Sequence, residues 1–173
     1  NVKICHRDTP FRLAAASRYD DPRVKKLIWE LKYGRRVGAA HPIASIIATH
    51  LGHLNINLAN YLLVPLPRHP ARERERGFNQ SEIIAERLAE HMHLTLVNGA
   101  LARVKKGVPQ AETKNREERR VNVAGSFAVV KPKLISGKNI VLLDDVFTSG
   151  ATMSEAARTL RTERVGGTAE EGE

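Results

Sequence analysis

Apolar residues recur at helical spacing in four parts of the chain. The first stripe follows Asp20-Asp21-Pro22, where an acidic cap and a proline in the first turn predict a helix start, and this helix closes near Gly34. The second helix begins near Pro42, and the third follows Asn79, which with Glu82 resembles a capping box. The apolar members are Val24, Leu27, Ile28 and Leu31; Ile43, Ile46, Ile47, Leu51 and Leu54; Ile83, Ile84, Leu88 and Met92; and, in the fourth, Met153, Ala156, Ala157 and Leu160.

Two short apolar runs, 61–64 and 139–143, predict buried strands. Uninterrupted apolar runs are typical of a parallel sheet that is covered on both faces, whereas a half-exposed strand alternates. A further strand is predicted at 125–130 and a turn at 131–137, and the weak pattern between Gly99 and Gly125 predicts a mobile excursion with a short helix at 115–120. The alternation of strands and helices predicts an α/β fold with a mainly parallel sheet flanked by helices.

Length and composition favour one ordinary globular domain. The chain has 173 residues, of which 42% are hydrophobic and 27% charged, and these values exclude disordered, collagen-like and disulfide-scaffold proteins. No apolar run reaches the roughly 18 residues of a membrane-spanning helix, and the N-terminus lacks a secretory apolar segment. We therefore expect no membrane insertion and a cytoplasmic location. Cys5 is the only cysteine, so the chain cannot form an internal disulfide or a cysteine-rich zinc site by itself.

The charge balance predicts an anionic partner. The chain has 28 Lys and Arg against 19 Asp and Glu, which leaves a net charge of +9. Phosphorylated metabolites and nucleic acids both suit this balance, because net charge governs steering and non-specific attraction rather than fold. Charge by itself leaves these two classes of partner open.

The segment 140–152 contains the residues that point most directly to a chemical function. Its apolar strand delivers Asp144 and Asp145 to the carboxyl end, where ligands bind in open parallel sheets. The loop after them, Thr148, Ser149, Gly150, Ala151 and Thr152, can turn its N–H groups and hydroxyls toward an anion, and the positive end of the next helix adds to the attraction. Two carboxylates beside a phosphate site predict binding of a ribose 5-phosphate. The alternative is an aspartate-capped helix start after a buried strand.

This segment resembles the motif for phosphoribosyl pyrophosphate (PRPP) in type I phosphoribosyltransferases, which has four apolar residues, two acids, an apolar residue and a Thr-Ser/Thr-Gly-x-Thr loop. The resemblance implies the fold of that family. It assigns Asp144 and Asp145, as catalytic residues, to the ribose hydroxyls, and the loop 148–152 to the 5-phosphate. It also implies that Leu66, Pro67 and Arg68, after the first strand, receive pyrophosphate, and that Mg²⁺ arrives with PRPP rather than on a metal site of the protein.

A wider resemblance, over about 19–160, is to the ComF family, which includes GntX-type proteins and is linked to competence and the use of external DNA. The matching residues are Tyr19, Leu27-Ile28, Leu31-Lys32-Tyr33, Val64-Pro65-Leu66-Pro67, Arg76-Gly77-Phe78-Asn79-Gln80-Ser81, Gln110, Arg116, Arg119, Asn122-Val123 and Phe127. The resemblance implies a Mg²⁺-dependent phosphoribosyltransferase, of the glycosyltransferase class, or a PRPP-binding protein. Candidate partners are PRPP, single-stranded DNA and the competence machinery, and an oligomer is compatible with this interpretation. No residue pattern in the sequence identifies the acceptor nucleophile.

Two features depart from the ComF pattern. Family members usually begin with a cysteine-rich zinc element, of which Cys5 alone is present, and the apolar strand expected beyond Leu160 is replaced by polar residues. We divide the chain into an N-terminal helical extension (1–56), a phosphoribosyltransferase domain (57–165) and a disordered tail (166–173). One interpretation of the N-terminal extension is that it is a remnant of the zinc-bearing segment. The sheet is expected to lack an edge strand.

Two basic stretches support a second hypothesis. Residues 68–76 carry four arginines against two glutamates, and 103–120 carry seven basic residues against three glutamates. In the fold that the resemblance implies, both flank the proposed site, and the candidates for lid or nucleic-acid contacts are Arg76, Lys105, Lys106, Arg116 and Arg119. The alternative function is a single-stranded-DNA-handling protein whose PRPP pocket is vestigial or regulatory. Tyr33 and Phe78 are interpreted as core aromatics and His50 and His53 as surface residues, with base stacking and metal binding as the alternatives.

Overall fold

The computed structural model describes residues 11–70, 73–74, 77–104 and 123–166. Helices, a short 3₁₀ turn and strands follow one another in this part of the chain. The helices are α1 (Pro22–Lys32), α2 (Ala40–His53), α3 (Gln80–Met92), α4 (Pro132–Ile135) and α5 (Ala151–Gly166), and the 3₁₀ turn is Val37–Ala39. The strands are β1 (Tyr61–Pro65), β2 (Thr95–Leu96), β3 (Leu101–Arg103), β4 (Phe127–Val129) and β5 (Asn139–Leu143).

The central sheet has the strand order β2-β1-β5, and both pairings are parallel. Strands β1 and β5 pair along their full lengths, from Tyr61 opposite Asn139 to Pro65 opposite Leu143. The prediction of a parallel sheet flanked by helices is confirmed, and β2, which no pattern predicted, adds a third strand to it. Because β1 and β5 run the same way side by side, their carboxyl ends meet at one edge of the sheet.

The two faces of this sheet are covered by different parts of the chain. Leu63 and Leu143 are buried in one apolar cluster with residues of α1, α2 and α3. Val64 is buried in a second cluster with residues of β3, β4, α4 and α5, against which Leu142 packs. Neighbouring residues of a strand point to opposite faces, so a sheet that is covered on both sides needs apolar residues at every position. This explains the uninterrupted apolar runs.

Two predictions for the region after Gly99 are wrong. Residues 101–103, expected in a mobile excursion, form β3, which pairs antiparallel with β4 in a separate two-stranded sheet. The predicted turn 131–137 contains the short helix α4, which starts with a proline in its first turn. In both places a single buried side chain, Leu101 or Ile135, fixes the element in the second cluster, and runs this short give no readable periodicity.

The predicted helix starts are confirmed. Asp21 caps α1, since its side chain accepts a hydrogen bond from the Arg23 N–H at 2.9 Å, and Pro22 stands at the first helical position. Helix α2 packs against α3 and buries the small side chains of Ala44 and Ala48, which were not in the predicted apolar stripe. Among the described residues, none of the helices has the length and apolar character needed to cross a membrane.

Candidate functional site

The site lies where β1 and β5 end together. Asp144 and Asp145 follow β5 directly, and Leu66, Pro67 and Arg68 follow β1. The Leu66 N–H donates a hydrogen bond of 2.8 Å to the carbonyl of Leu143, so the parallel pairing continues one residue beyond β1. The predicted pyrophosphate loop and the two predicted acids therefore start from one rigid edge.

Asp145 is held between two cations. Lys32 Nζ lies 2.9 Å and Arg68 Nη2 lies 3.3 Å from the same oxygen, Oδ2, of the Asp145 side chain, which is 7% exposed. Arg68 comes from the loop after β1, whereas Lys32 is the last residue of α1. A carboxylate this far buried is stable only when it is paired, and two cations around one carboxylate leave a local excess of positive charge.

Asp144 has a different environment. Its Oδ1 accepts hydrogen bonds from the Ser81 hydroxyl at 3.2 Å and from the backbone N–H of Asp145 at 2.8 Å. Burial, with a smaller contribution from the negative charge of Asp145, raises the pKa of Asp144 to about 7. The Asp144 carboxyl group is thus partly protonated near neutral pH, because it is desolvated.

The segment before α3 ties these parts together. The Asn79 side chain, in a residue that is 2% exposed, accepts a hydrogen bond from the Ser81 N–H at 3.1 Å and so caps α3 as predicted. Its amide nitrogen donates to the carbonyl of Leu66 at 3.1 Å. One buried side chain therefore fixes both the start of the helix that carries Ser81 and the loop that carries Arg68.

The predicted phosphate loop enters α5 through a turn that requires glycine. Gly150 has φ +76°, and a Cβ built on it would lie 2.6 Å from the ring of Phe147, so both the backbone conformation and the space require glycine. Helix α5 begins at Ala151, whose N–H donates to the Ser149 hydroxyl at 3.5 Å. Because Asp145 lies six positions before Ala151, neither acid is the N-cap of this helix.

The structure brings together part of the predicted set. Asp144, Asp145 and Arg68 share direct or adjacent contacts, and the residues 148–152 follow on the same connection. The five candidates for lid or nucleic-acid contacts lie outside the described residues; they are Arg76, Lys105, Lys106, Arg116 and Arg119. Sequence reasoning gave no role to Lys32 or Ser81, although both stand in stretches that match the ComF family.

Weaker candidates have simple environments. Tyr33 is exposed rather than in the core, whereas Phe78 is half-buried against the first apolar cluster. His50 and His53 line a shallow surface pocket, and no group of three or more potential metal ligands is found within the described residues. The two site acids are engaged by cations, a hydroxyl and an N–H group. Carboxylate oxygens are among the ligands that Mg²⁺ takes in proteins, usually together with phosphate oxygens of a bound ligand.

This chain is similar in sequence to known bacterial proteins. It is 28% identical over 152 residues to the DNA utilization protein YhgH of Escherichia coli strain K12, and the alignment covers 86% of this chain and 65% of that protein. It is 35% identical over 101 residues to the competence protein ComFC of Bacillus subtilis strain 168, with 58% of this chain and 38% of that protein covered. It is 28% identical over 100 residues to competence protein F of Haemophilus influenzae strain Rd, with coverage of 57% and 43%.

These relatives support the prediction of the ComF family, and their names link them to competence and DNA utilization. The chain spans 65% of the length of the YhgH protein that it matches, and less of the two competence proteins. No family model matches the chain, and no solved structure matches it.

Proposed function

We propose that this chain binds PRPP with Mg²⁺, as a phosphoribosyltransferase or a PRPP-binding protein of the ComF type. The observation that carries the proposal is the meeting of Asp144, Asp145, Lys32 and Arg68 beyond the carboxyl ends of two adjacent parallel strands. Ligands of open α/β sheets bind at this edge. The loop 148–152 follows the acids along the chain and supplies N–H groups and hydroxyls next to the start of a helix.

Each part of PRPP has a matching group. The 5-phosphate binds the loop 148–152 and the N-terminus of α5, where the positive end of the helix dipole attracts an anion. The ribose hydroxyls donate to the carboxylates of Asp144 and Asp145. Ser81 keeps the Asp144 side chain in place, because its hydroxyl already bonds one oxygen of that carboxyl group.

Ligand binding exchanges partners at Asp145. Lys32 and Arg68 both contact Oδ2 of this residue. The pyrophosphate group carries more negative charge than one carboxylate, so it attracts the two cations and leaves an Asp145 oxygen for a ribose hydroxyl. The ion pairs with Asp145 therefore hold the two cations in place for the similar ion pairs that they form with pyrophosphate in the complex.

In a transfer reaction, the bond between C1 of the ribose and the pyrophosphate oxygen breaks, and its electron pair leaves with pyrophosphate. The acceptor nucleophile forms the new bond to C1, and the developing positive charge on the sugar is stabilised by the negative charge of Asp145. Lys32 and Arg68 neutralise the departing pyrophosphate. Mg²⁺, when bound with PRPP, supplies further neutralisation of the same group.

The test is a thermal-shift titration with PRPP and Mg²⁺. A ligand that binds only the folded state stabilises it by about 2.7 kcal/mol at a hundredfold excess over Kd, so the melting temperature rises with PRPP concentration. Ribose 5-phosphate and pyrophosphate, added separately, give smaller shifts because each reaches only part of the site. The absence of any shift at millimolar PRPP contradicts the proposal.

The names of the relatives refer to DNA utilization and competence, and we infer as a second candidate a single-stranded-DNA-handling protein with a vestigial or regulatory PRPP pocket. For this candidate function, the basic stretch 103–120 binds along the nucleic-acid backbone. A plot of log K against the logarithm of the salt concentration then falls with a slope of about 0.7 per phosphate contacted. Replacement of Lys105, Lys106, Arg116 and Arg119 by Gln lowers that slope. Oligonucleotide binding that changes with neither salt nor these substitutions contradicts this version.

A further inference from the structure

Helix α1 exposes a pair of aromatic side chains. Trp29 is 59% and Tyr33 61% exposed, and their ring centroids lie 6.0 Å apart at an interplanar angle of 44°. Side chains of this size are usually buried, and α1 already buries its apolar side through Ile28 and Leu31. The aromatic pair therefore belongs to the outer surface of the helix and does not contribute to the core.

Positive charge surrounds this pair. Lys25 and Lys26 stand one helical turn before Trp29, both are exposed, and neither forms an ion pair with any residue that the structure describes. Over residues 22–36 the sequence has six basic residues and one acid, Glu30, which gives a net charge of +5. Glu30 itself lies 3.9 Å from Arg36, so its charge is already partly balanced.

We propose that a single-stranded nucleic acid binds to this surface, which we call the α1 face (Lys25, Lys26, Trp29, Tyr33 and Arg36). Unpaired bases stack on exposed aromatic rings without regard to sequence, and lysine and arginine side chains pair with the phosphates beside them. A duplex hides the faces of its bases, so the aromatic pair selects single strands. The net positive charge distinguishes this surface from an uncharged apolar face that docks another protein.

The α1 face is separate from the proposed PRPP site. Lys32, on the same helix, turns away from it and contacts Asp145. The inference therefore stands on its own, and loss of PRPP binding leaves it intact. The two surfaces share one helix, but different lysines serve them: Lys25 and Lys26 the nucleic acid, and Lys32 the pyrophosphate.

The experiment uses the intrinsic fluorescence of Trp29, which is the only tryptophan in the chain. Titration with an oligothymidylate of about 16 nucleotides should quench this fluorescence, because bases that stack on the indole ring quench it. Added salt should weaken binding, with log K falling by about 0.7 per phosphate contacted. A duplex hairpin of the same length should quench much less.

Matched variants separate this surface from general electrostatic attraction. Lys25→Gln with Lys26→Gln should lower the salt slope by about 0.7 per lysine removed, whereas Lys133→Gln with Lys138→Gln should leave it unchanged. The control lysines are exposed too, and Ile135 between them packs on the other face of the sheet. Both pairs remove the same charge from the chain.

The aromatic pair is tested with a labelled oligonucleotide followed by anisotropy. Trp29→Leu with Tyr33→Leu should weaken binding about tenfold or more, and Trp29→Phe with Tyr33→Phe should recover most of the affinity. Circular dichroism checks that each variant is folded, as expected for exposed positions. Absence of quenching in the natural chain, equal losses from both lysine pairs, or unchanged affinity in the leucine variant would each overturn the proposal.

Discussion

Lys32 Nζ lies 2.9 Å from Oδ2 of Asp145, so the last residue of the first helix reaches one of the two acids that the PRPP resemblance assigns to the ribose. The contact joins the predicted N-terminal extension to the predicted transferase domain. Both partners are largely buried, and both pack beside Arg68. Helix α1 is therefore part of the candidate site as well as of the core, and its position affects ligand binding directly.

The first prediction concerns this lysine. Lys32→Gln should raise the Kd for PRPP about tenfold or more, because it removes one of the two cations available to pyrophosphate and leaves Asp145 with Arg68 only. Isothermal titration calorimetry measures the effect. Lys26→Gln on the same helix is the matched control and should leave PRPP affinity unchanged. Equal affinity in the two variants would show that Lys32 has only a structural role.

Much of the fold could be predicted because its signals are local. The Asp21-Pro22 start of α1, the Asn79 cap and the two apolar runs each specify their element within a few residues. The elements that the patterns missed include β3 and α4, which are three and four residues long and form because Leu101 and Ile135 reach a core assembled from distant segments. Such short elements depend on tertiary packing, which periodicity does not report.

The second prediction follows from the raised pKa of Asp144. Burial raises this pKa from 3.8 to about 7, so between these values the folded protein holds a proton that the unfolded chain has released. The free energy of unfolding should therefore fall as the pH rises from about 4 to about 7 and level off above that. Urea unfolding at several pH values gives the profile.

Two variants serve as comparisons for this pH profile. Asp144→Asn should remove the downward contribution, since the amide does not titrate. Asp20→Asn, at an exposed carboxyl group whose pKa Arg18 lowers, should leave the downward contribution in place. If the unfolding free energies of the natural protein and the Asp144→Asn variant changed in parallel between pH 4 and pH 7, the result would contradict the assigned environment of Asp144.

The third prediction tests the glycine turn at the entry to α5. Gly150→Ala should destabilise the fold by about 1–3 kcal/mol and weaken PRPP binding, because a Cβ at φ +76° is disfavoured and would collide with Phe147. Gly52→Ala is the control, since Gly52 lies in helix α2 and its Cβ would meet no atom within 4 Å. It should be neutral or stabilising by up to about 1 kcal/mol. A Gly150→Ala protein with unchanged stability and affinity would contradict the loop geometry.

The fourth prediction separates the two hydrogen bonds of Asn79. Asn79→Ala should cost about 1–3 kcal/mol, because it removes the cap of α3 and leaves the Leu66 carbonyl without its donor. Asn79→Ser keeps an acceptor for the cap and should regain part of this stability. PRPP affinity should stay reduced in the serine variant, since Leu66 and its loop are no longer held. Full recovery of affinity by serine would limit Asn79 to the role of a cap.

The site could be predicted only in part, for a related physical reason. The residues 144–152 form one continuous stretch, so their chemistry is visible in the sequence. Ser81 and Lys32 contact these acids from α3 and α1, and no local pattern links them to β5. Their contacts depend on how the helices pack on the sheet. Ser81 and Lys32 both stand in stretches that match the ComF family. This match was the one available signal, and it did not assign a function to either residue.

Binding of PRPP to the natural chain and to the Asp144→Asn, Asp145→Asn double variant tests the central claim most directly. Isothermal titration calorimetry with Mg²⁺ should give a saturable heat for the natural chain and none for the double variant, while circular dichroism and thermal unfolding show that both are folded. The acids lie at a strand end outside the apolar clusters, so the fold should survive their replacement. Equal PRPP binding by both proteins, or no binding by the folded natural chain at millimolar PRPP, would contradict the account.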